Sequence, residues 1–126
     1  MFKTEPSVYS FADLERDGET VWDGVTNALA LKYLRQVQLG DEILCYHTGK
    51  EKAIVGVMKV VVPVSPATGT PAVTVTAARR WPHPMTLAQL KSDSAFAGWE
   101  LLRMPRLSIM PIGDAHWQRL CQLTGS

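Results

Sequence analysis

The sequence predicts an α+β domain in which short helices flank a curved sheet or an open β-barrel. Segments rich in β-branched residues dominate the middle of the chain, and segments with helical periodicity lie before and after them. The chain has 126 residues and a hydrophobic content of 46%, which suffices for one core without disulfides. We therefore expect a single domain over residues 1–126, with about five or six mostly antiparallel strands.

The first third of the chain is predicted to alternate short strands with short helices. Ser10 stands three residues before Asp13, which is close to a capping box and marks the start of a helix. Asn27 precedes a run in which apolar residues recur on one helical face, so it is the expected N-cap of a second helix. The expected elements are a strand over Met1–Glu5, a helix over Phe11–Arg16, an extended segment over Glu19–Trp22 and a helix from Asn27 to Val37.

The middle of the chain is predicted to form the body of the sheet. Two apolar segments flank a polar turn that contains Gly49, which is typical of a β-hairpin. A third segment alternates apolar and polar residues, as a strand does. The prolines of Trp81-Pro82-His83-Pro84 are expected to end that strand. The expected strands are Glu42–His47, Ala53–Val62 and Ala72–Trp81, with a loop over Pro63–Pro71.

The last third is predicted to be mainly helical. Thr86 is a suitable N-cap, whereas Ile109 lies in a short β-branched segment that ends at Pro111. The expected elements are a helix over Thr86–Lys91, a helical turn over Ser94–Gly98, a strand over Arg106–Met110 and a helix over Gly113–Leu123 whose buried side holds Ala115, Trp117, Leu120 and Cys121.

Composition excludes several classes of function. The formal net charge is +1, so charge alone gives no argument for nucleic acid. Cys45 and Cys121 lack metal-ligand spacing and are expected to be buried free thiols in a reducing compartment. The three histidines are scattered, and the longest apolar run is too short and too interrupted to span a membrane. We expect a cytoplasmic monomer without signal peptide, metal or cofactor.

Polar and aromatic residues cluster where predicted strands end, which could bring them to one rim of a barrel. The clusters begin at Lys3, Trp22, Tyr46 and Arg106. Trp22 and Tyr46 offer flat faces on which a base can stack. Edge contacts to a base could come from Glu5, Asn27 and Ser108, and contacts to phosphates from Lys3, Lys50, Lys52, Arg79 and Arg106.

Simpler interpretations compete with this one. Trp22 can be only a core aromatic, Asp23-Gly24 only a turn and Asn27 only a helix cap. Cys45 and His47 lie two apart on one strand, the spacing of a nucleophile and its base on one face. The apolar neighbours of Cys45 nevertheless favour an inert core thiol.

Six segments, in order, resemble the EVE domain family of the PUA superfamily. A match to any one of these segments is weak evidence for the family, but the match of all six in the same order is highly specific for it. The matching segments are Lys3-Thr4-Glu5-Pro6, Trp22-Asp23-Gly24-Val25-Thr26-Asn27, Tyr46-His47-Thr48, Ile54-Val55-Gly56, Thr86-Leu87-Ala88-Gln89-Leu90-Lys91 and Arg106-Leu107-Ser108-Ile109-Met110-Pro111.

The resemblance implies a PUA-like open β-barrel and a pocket for a modified base of DNA or RNA, similar to the pocket of YTH readers. It implies binding rather than catalysis. The sequence departs from the family pattern at Thr26, where relatives carry arginine, at Met110, where they carry glutamine, and in the short Pro63–Pro71 segment. The residues that match the family's pocket positions are Lys3, Glu5, Trp22, Asn27, Tyr46, His47 and Ser108.

Three rival functions stay open. The pocket could take a free nucleoside or similar heterocycle, which the near-neutral charge favours. The protein could be an enzyme acting on modified nucleic acid, with Glu5 or His47 as the acid–base group. The domain could also be an interaction module whose pocket no longer binds a ligand.

Overall fold

The computed structural model describes residues 1–65 and 71–125. The described residues form a five-stranded sheet with five short α-helices around it. Residues 66–70 of the predicted Pro63–Pro71 loop lie outside the described part. The strands are β1 (Phe2–Thr4), β2 (Glu19–Trp22), β3 (Glu42–His47), β4 (Ala53–Val62) and β5 (Val73–Thr86). Their order in the sheet is β1-β3-β4-β5-β2.

The sheet is mixed, and only the β1–β3 pair is parallel among its strand pairs. Strands β3 and β4 form the predicted hairpin over the predicted residues, with Leu44 opposite Val57. The prediction of an α+β fold with mostly antiparallel strands is therefore confirmed. Strands β1 and β2 are the two edges of the sheet.

The sheet curls so that its two edges approach each other. Phe2 of β1 and Trp22 of β2 have ring centroids 5.3 Å apart, with their planes tilted by 47°. Phe2 is only 1% exposed. Because β1 and β2 share no backbone pairing, this aromatic contact joins the edges of an open half-barrel, as expected of a PUA-like fold.

Three helices begin at the predicted caps Ser10, Asn27 and Thr86. Ser10 and Asp13 form a complete capping box, and the Asn27 side chain accepts a hydrogen bond from the backbone N–H of Ala30 at 3.0 Å. The sequence did not predict the short helix over Glu100–Arg103. The helices are α1 (Phe11–Asp17), α2 (Ala28–Gln36), α3 (Leu87–Ser92), α4 (Glu100–Arg103) and α5 (Asp114–Thr124), with a 3₁₀ turn over Ser94–Phe96.

Strand β5 is longer than predicted, because its prolines do not end it. Pairing resumes where Met85 faces Ile54, after Arg80 has faced Gly56. The four residues 81–84 therefore oppose Val55 alone and form a bulge. Both prolines in the bulge are exposed, so the sheet loses few backbone hydrogen bonds through their missing N–H groups.

The predicted strand over Arg106–Met110 is wrong. The N–H of Leu107 turns back to the carbonyl of Met104 at 3.0 Å, and Ile109 makes an isolated bridge to Phe2. The segment still lies beside β1, since the Lys3 N–H donates to the Ser108 carbonyl at 2.9 Å. The local turn therefore uses the Leu107 N–H that a longer ladder would need.

Helix α5 buries less than predicted. Leu120 is fully buried and Trp117 partly buried, but Ala115 is exposed and Cys121 is half-buried. Cys45 is buried as expected. The helix therefore meets the core along a narrower stripe than the apolar residues of its sequence suggest.

Gly56 explains one of the sequence motifs in structural terms. A Cβ at this position would lie 2.7 Å from the Arg79 carbonyl and 2.9 Å from the Phe11 ring. Only glycine lets β5 and helix α1 approach β4 this closely. The motif at residues 54–56 therefore serves packing.

Candidate functional site

A cavity of about 460 Å³ lies at the opening between the edge strands β1 and β2. Its walls come from residues 3–5, from residues 20–23 and from Val8 and Tyr9 of the intervening loop. Binding sites for small molecules typically have volumes of roughly 300–1,000 Å³. The cavity therefore has the size and position of a barrel-mouth site.

Trp22 forms an aromatic wall of the cavity. Its indole is partly buried, lines the cavity and packs against the buried ring of Phe2. This packing limits the orientations that the indole can adopt. A flat ligand in the cavity would thus meet a preorganised aromatic side chain.

Lys3 links the cavity to the segment that precedes Ser108. Its Nζ donates to the Pro105 carbonyl at 3.0 Å and lies 5.6 Å from the centroid of the Tyr46 ring. Burial lowers the pKa of Lys3. The ammonium is therefore partly committed to internal contacts, although it still lines the cavity.

Glu5 organises the wall next to Lys3. Its carboxylate accepts hydrogen bonds from the backbone N–H of Ser7 at 3.2 Å and from the Ser7 hydroxyl at 3.0 Å, and a weaker one from Thr48 at 3.3 Å. The Ser7 backbone bond is the main cause of a lowered pKa at Glu5. A carboxylate held ionised in this way is a poor general acid and mainly a structural acceptor.

Asp23 is a site residue that the sequence interpretation left out of its pocket set. It lines the cavity directly after Trp22, and within the described residues no hydrogen bond or ion pair engages its carboxylate. The sequence signal was present, but Asp23-Gly24 also fits an ordinary turn. The structure places a free acceptor beside the aromatic wall.

Tyr46 and His47 lie in the core and do not line the cavity. His47 Nε2 accepts the Phe11 N–H at 3.0 Å, and its Nδ1 lies 3.1 Å from a Glu51 carboxylate oxygen. This arrangement requires the proton on Nδ1. Both ring nitrogens have internal partners, so His47 links β3 to helix α1 and has no nitrogen available for proton transfer to a ligand.

Cys45 is expected to resist alkylation in the folded protein, whereas Cys121 reacts. Burial raises the pKa of Cys45 to about 12, so its reactive thiolate is scarce at pH 8. Iodoacetamide labelling followed by mass spectrometry should therefore modify Cys121 first, and Cys45 only after denaturation. Labelling of Cys45 at the rate of Cys121 in the native state would contradict this assignment and revive a nucleophilic role.

Asn27 and Arg106 lie in a neighbouring groove rather than in the cavity. This groove of about 420 Å³ also contains Arg103 and Pro105. The Lys3–Pro105 hydrogen bond joins it to the cavity. Asn27 uses its side-chain oxygen to cap α2, which leaves its amide N–H groups for other contacts.

The remaining predicted residues do not line the cavity. Arg79 of β5 pairs with Glu42 of β3 across the intervening strand β4, whereas Lys50 and Lys52 lie on the β3–β4 turn. Ser108 is half-buried and meets β1 through its carbonyl. The structure thus brings together Lys3, Glu5 and Trp22 from the predicted pocket set.

Within residues 1–65 and 71–125, no group of three His, Cys, Asp or Glu side chains is placed to hold a metal ion. In the same part of the chain, every helix is too short or too polar to cross a bilayer.

The chain is similar to a known protein family and to curated relatives. The family model described as EVE domain matches residues 1–123. Thymocyte nuclear protein 1 of Homo sapiens is 43% identical over 56 residues, which are 42% of this chain and 25% of that protein. The chain thus matches about a quarter of the length of its curated relatives.

Two solved structures are similar over nearly the whole chain. The first is human THYN1 protein in complex with 5-methylcytosine containing DNA, with 27% identity, a TM-score of 0.89 and coverage of 99% of this chain and 96% of that one. The second is a Pseudomonas putida protein with 27% identity, a TM-score of 0.90 and coverage of 98% and 97%.

Proposed function

The chain belongs to the EVE domain family, and from this premise we propose that it binds a modified base of DNA in the cavity between β1 and β2 without changing it chemically. The observation that carries the proposal is the 460 Å³ cavity with Trp22 in its wall. The complex of the human relative with DNA that contains 5-methylcytosine favours DNA over RNA as the partner.

The binding step requires that the base leave the helix. Flipping a base costs a few kcal/mol of unstacking, and stacking against an aromatic side chain offsets part of this cost. Trp22 supplies the aromatic face, and its packing against Phe2 holds that face in place. Val8 and Val21 contribute apolar surface to the wall of the cavity, and this surface suits a methyl substituent on the base.

Asp23 gives the cavity a preference for bases with an exocyclic amine. A carboxylate accepts a hydrogen bond from the N4 amine of cytosine, whereas thymine presents an O4 acceptor that the carboxylate would repel. The carboxylate of Asp23 is free for this contact, while that of Glu5 is held by Ser7 and Thr48. The cavity is therefore suited to the cytosine class.

Replacing Asp23 with alanine is expected to weaken binding of a 5-methylcytosine oligonucleotide by about 10- to 150-fold, because one hydrogen bond to a charged group is worth roughly 1.5–3 kcal/mol. Fluorescence anisotropy with a labelled duplex measures the effect. Glu19→Ala is the matched control, since it removes an exposed carboxylate at the start of β2, the strand that Asp23 follows, and this carboxylate does not line the cavity. Equal affinities for Asp23→Ala and the wild type would exclude this contact.

A free nucleoside is the second candidate ligand, and the charges of the cavity favour it. The walls carry two carboxylates, Glu5 and Asp23, and one cation, Lys3, which already bonds to Pro105. Binding of a nucleoside would be nearly independent of salt, whereas DNA binding releases counterions and weakens as salt rises. The salt dependence of affinity therefore separates the two ligands.

An enzymatic role has less support from the geometry. His47 has no free ring nitrogen, and Glu5 is held ionised by its neighbours. A modified oligonucleotide recovered unchanged after incubation would agree with binding alone, and turnover lost in Glu5→Gln would favour catalysis. The cytoplasmic location and the monomeric state stay predictions.

A further inference from the structure

Three lysines line a groove of about 350 Å³ between the β3–β4 turn and the start of helix α3. We name it the lysine groove, after Lys50, Lys52 and Lys91. Among the described residues, no carboxylate pairs with these three ammonium groups. Glu51 is the acidic residue that lines the groove, and its carboxylate contacts His47. The groove therefore holds three ammonium groups against one carboxylate, which leaves an excess of positive charge.

Lys52 has a backbone conformation that seldom suits lysine. Its φ is 48°, and it is the only non-glycine residue with positive φ in the described part of the chain. Glycine or asparagine would adopt this left-handed conformation more easily. The Lys52 carbonyl accepts the Leu87 N–H at 2.8 Å, so this backbone conformation ties the turn to the start of helix α3 and holds the Lys52 side chain at the groove.

The lysine groove adjoins the cavity through the turn that carries Lys50. A Cβ at Gly49 would lie 2.5 Å from a carboxylate oxygen of Glu5, which is a cavity wall. The Thr48 hydroxyl also donates to Glu5 at 3.3 Å. A strand whose base enters the cavity beside Glu5 would thus have its backbone near the turn that carries Lys50 and Lys52.

We propose that the lysine groove binds the phosphate backbone of the DNA strand whose modified base occupies the cavity. This inference rests on the proposed function, and it assigns a second contact to the same partner. Three lysines side by side repel one another, and the single carboxylate of Glu51 offsets only part of this repulsion. Phosphate oxygens are the anions that a nucleic acid supplies to offset the rest. Lys91 joins the site through helix α3, although no local pattern around it predicted a role in binding.

The test combines Lys50→Gln, Lys52→Asn and Lys91→Gln in one protein. Asparagine removes the charge of Lys52 but tolerates left-handed backbone, so the thermal midpoint should stay the same or rise. Binding of 5-methylcytosine and cytosine duplexes is then measured from about 50 to 200 mM salt. The slope of log K against log salt should become shallower by about 0.9 for each phosphate that the variant no longer neutralises, and both duplexes should weaken by the same factor.

Lys59→Gln is the matched control, because Lys59 is exposed on β4 and lines neither the cavity nor the groove. An unchanged slope in the triple variant, or an equal change in Lys59→Gln, would overturn the lysine groove as a phosphate site. A preference for the modified duplex would still stand in that case. Conversely, a shallower slope in a protein without any such preference would support the groove and refute the base cavity.

Discussion

Replacing Trp22 with alanine is expected to weaken binding of a 5-methylcytosine duplex by about 5- to 150-fold, because stacking of one base on an aromatic ring is worth roughly 1–3 kcal/mol. Trp22 is the aromatic side chain placed between the cavity and the buried Phe2 ring. Alanine would remove the stacking face, so nothing would offset the stacking energy that the flipped base loses when it leaves its neighbours in the duplex. Fluorescence anisotropy titration measures the loss.

Two controls separate stacking from general damage. Trp22→Phe keeps an aromatic face and should retain most of the affinity, while Trp22→Ala should lose the preference for the modified duplex. Thermal unfolding of both variants checks the fold, since Trp22 also packs on Phe2. If Trp22→Ala binds as tightly as the wild type while folded, base stacking at this position is refuted.

Replacing Phe2 with alanine is expected to reduce the free energy of unfolding by about 3–5 kcal/mol, the usual cost of removing a buried phenyl ring. Phe2 is 1% exposed, and its ring joins β1 to Trp22 across the opening of the barrel. Such a loss is a large part of the roughly 5–15 kcal/mol that stabilises a typical domain. Urea unfolding monitored by circular dichroism measures it.

Phe2→Leu is the matched variant for this prediction. Leucine fills much of the same volume, so its cost should be clearly smaller than that of alanine. A loss below about 1 kcal/mol for Phe2→Ala would contradict the role of the Phe2–Trp22 contact in holding the sheet edges together.

The sequence predicted most strands and caps because their signals are local. Strands β3 and β4 begin and end at the predicted residues, and Ser10, Asn27 and Thr86 cap helices as expected. β-branched content, helical periodicity and side-chain capping depend on neighbours within a few residues. No distant contact is needed to interpret them.

Two elements were mispredicted because distant pairing decides them. The prolines of β5 fit a strand only because residues 81–84 bulge opposite Val55 of β4. The segment before Pro111 was expected to be a strand, but the N–H of Leu107 bonds to Met104 and leaves little ladder beside β1. The local composition of each segment is the same whether or not the segment pairs as a strand, so composition alone cannot decide between the two.

The site was only partly visible in the sequence. A buried strand is apolar on both faces, so the pattern around His47 could not show that its ring turns towards helix α1. In the sequence Asp23 fits a turn as well as a pocket wall, and its place in the cavity depends on how β2 meets β1. The closeness of Lys3 and Trp22 likewise follows from the curl of the sheet.

A crystal structure with a short DNA duplex that contains one 5-methylcytosine tests the central claim most directly. We expect the modified base to be flipped into the cavity between β1 and β2, stacked on Trp22, with its amine within hydrogen-bond distance of the Asp23 carboxylate. A base that stays stacked in the duplex, or DNA bound on another surface with the cavity empty, would contradict the account.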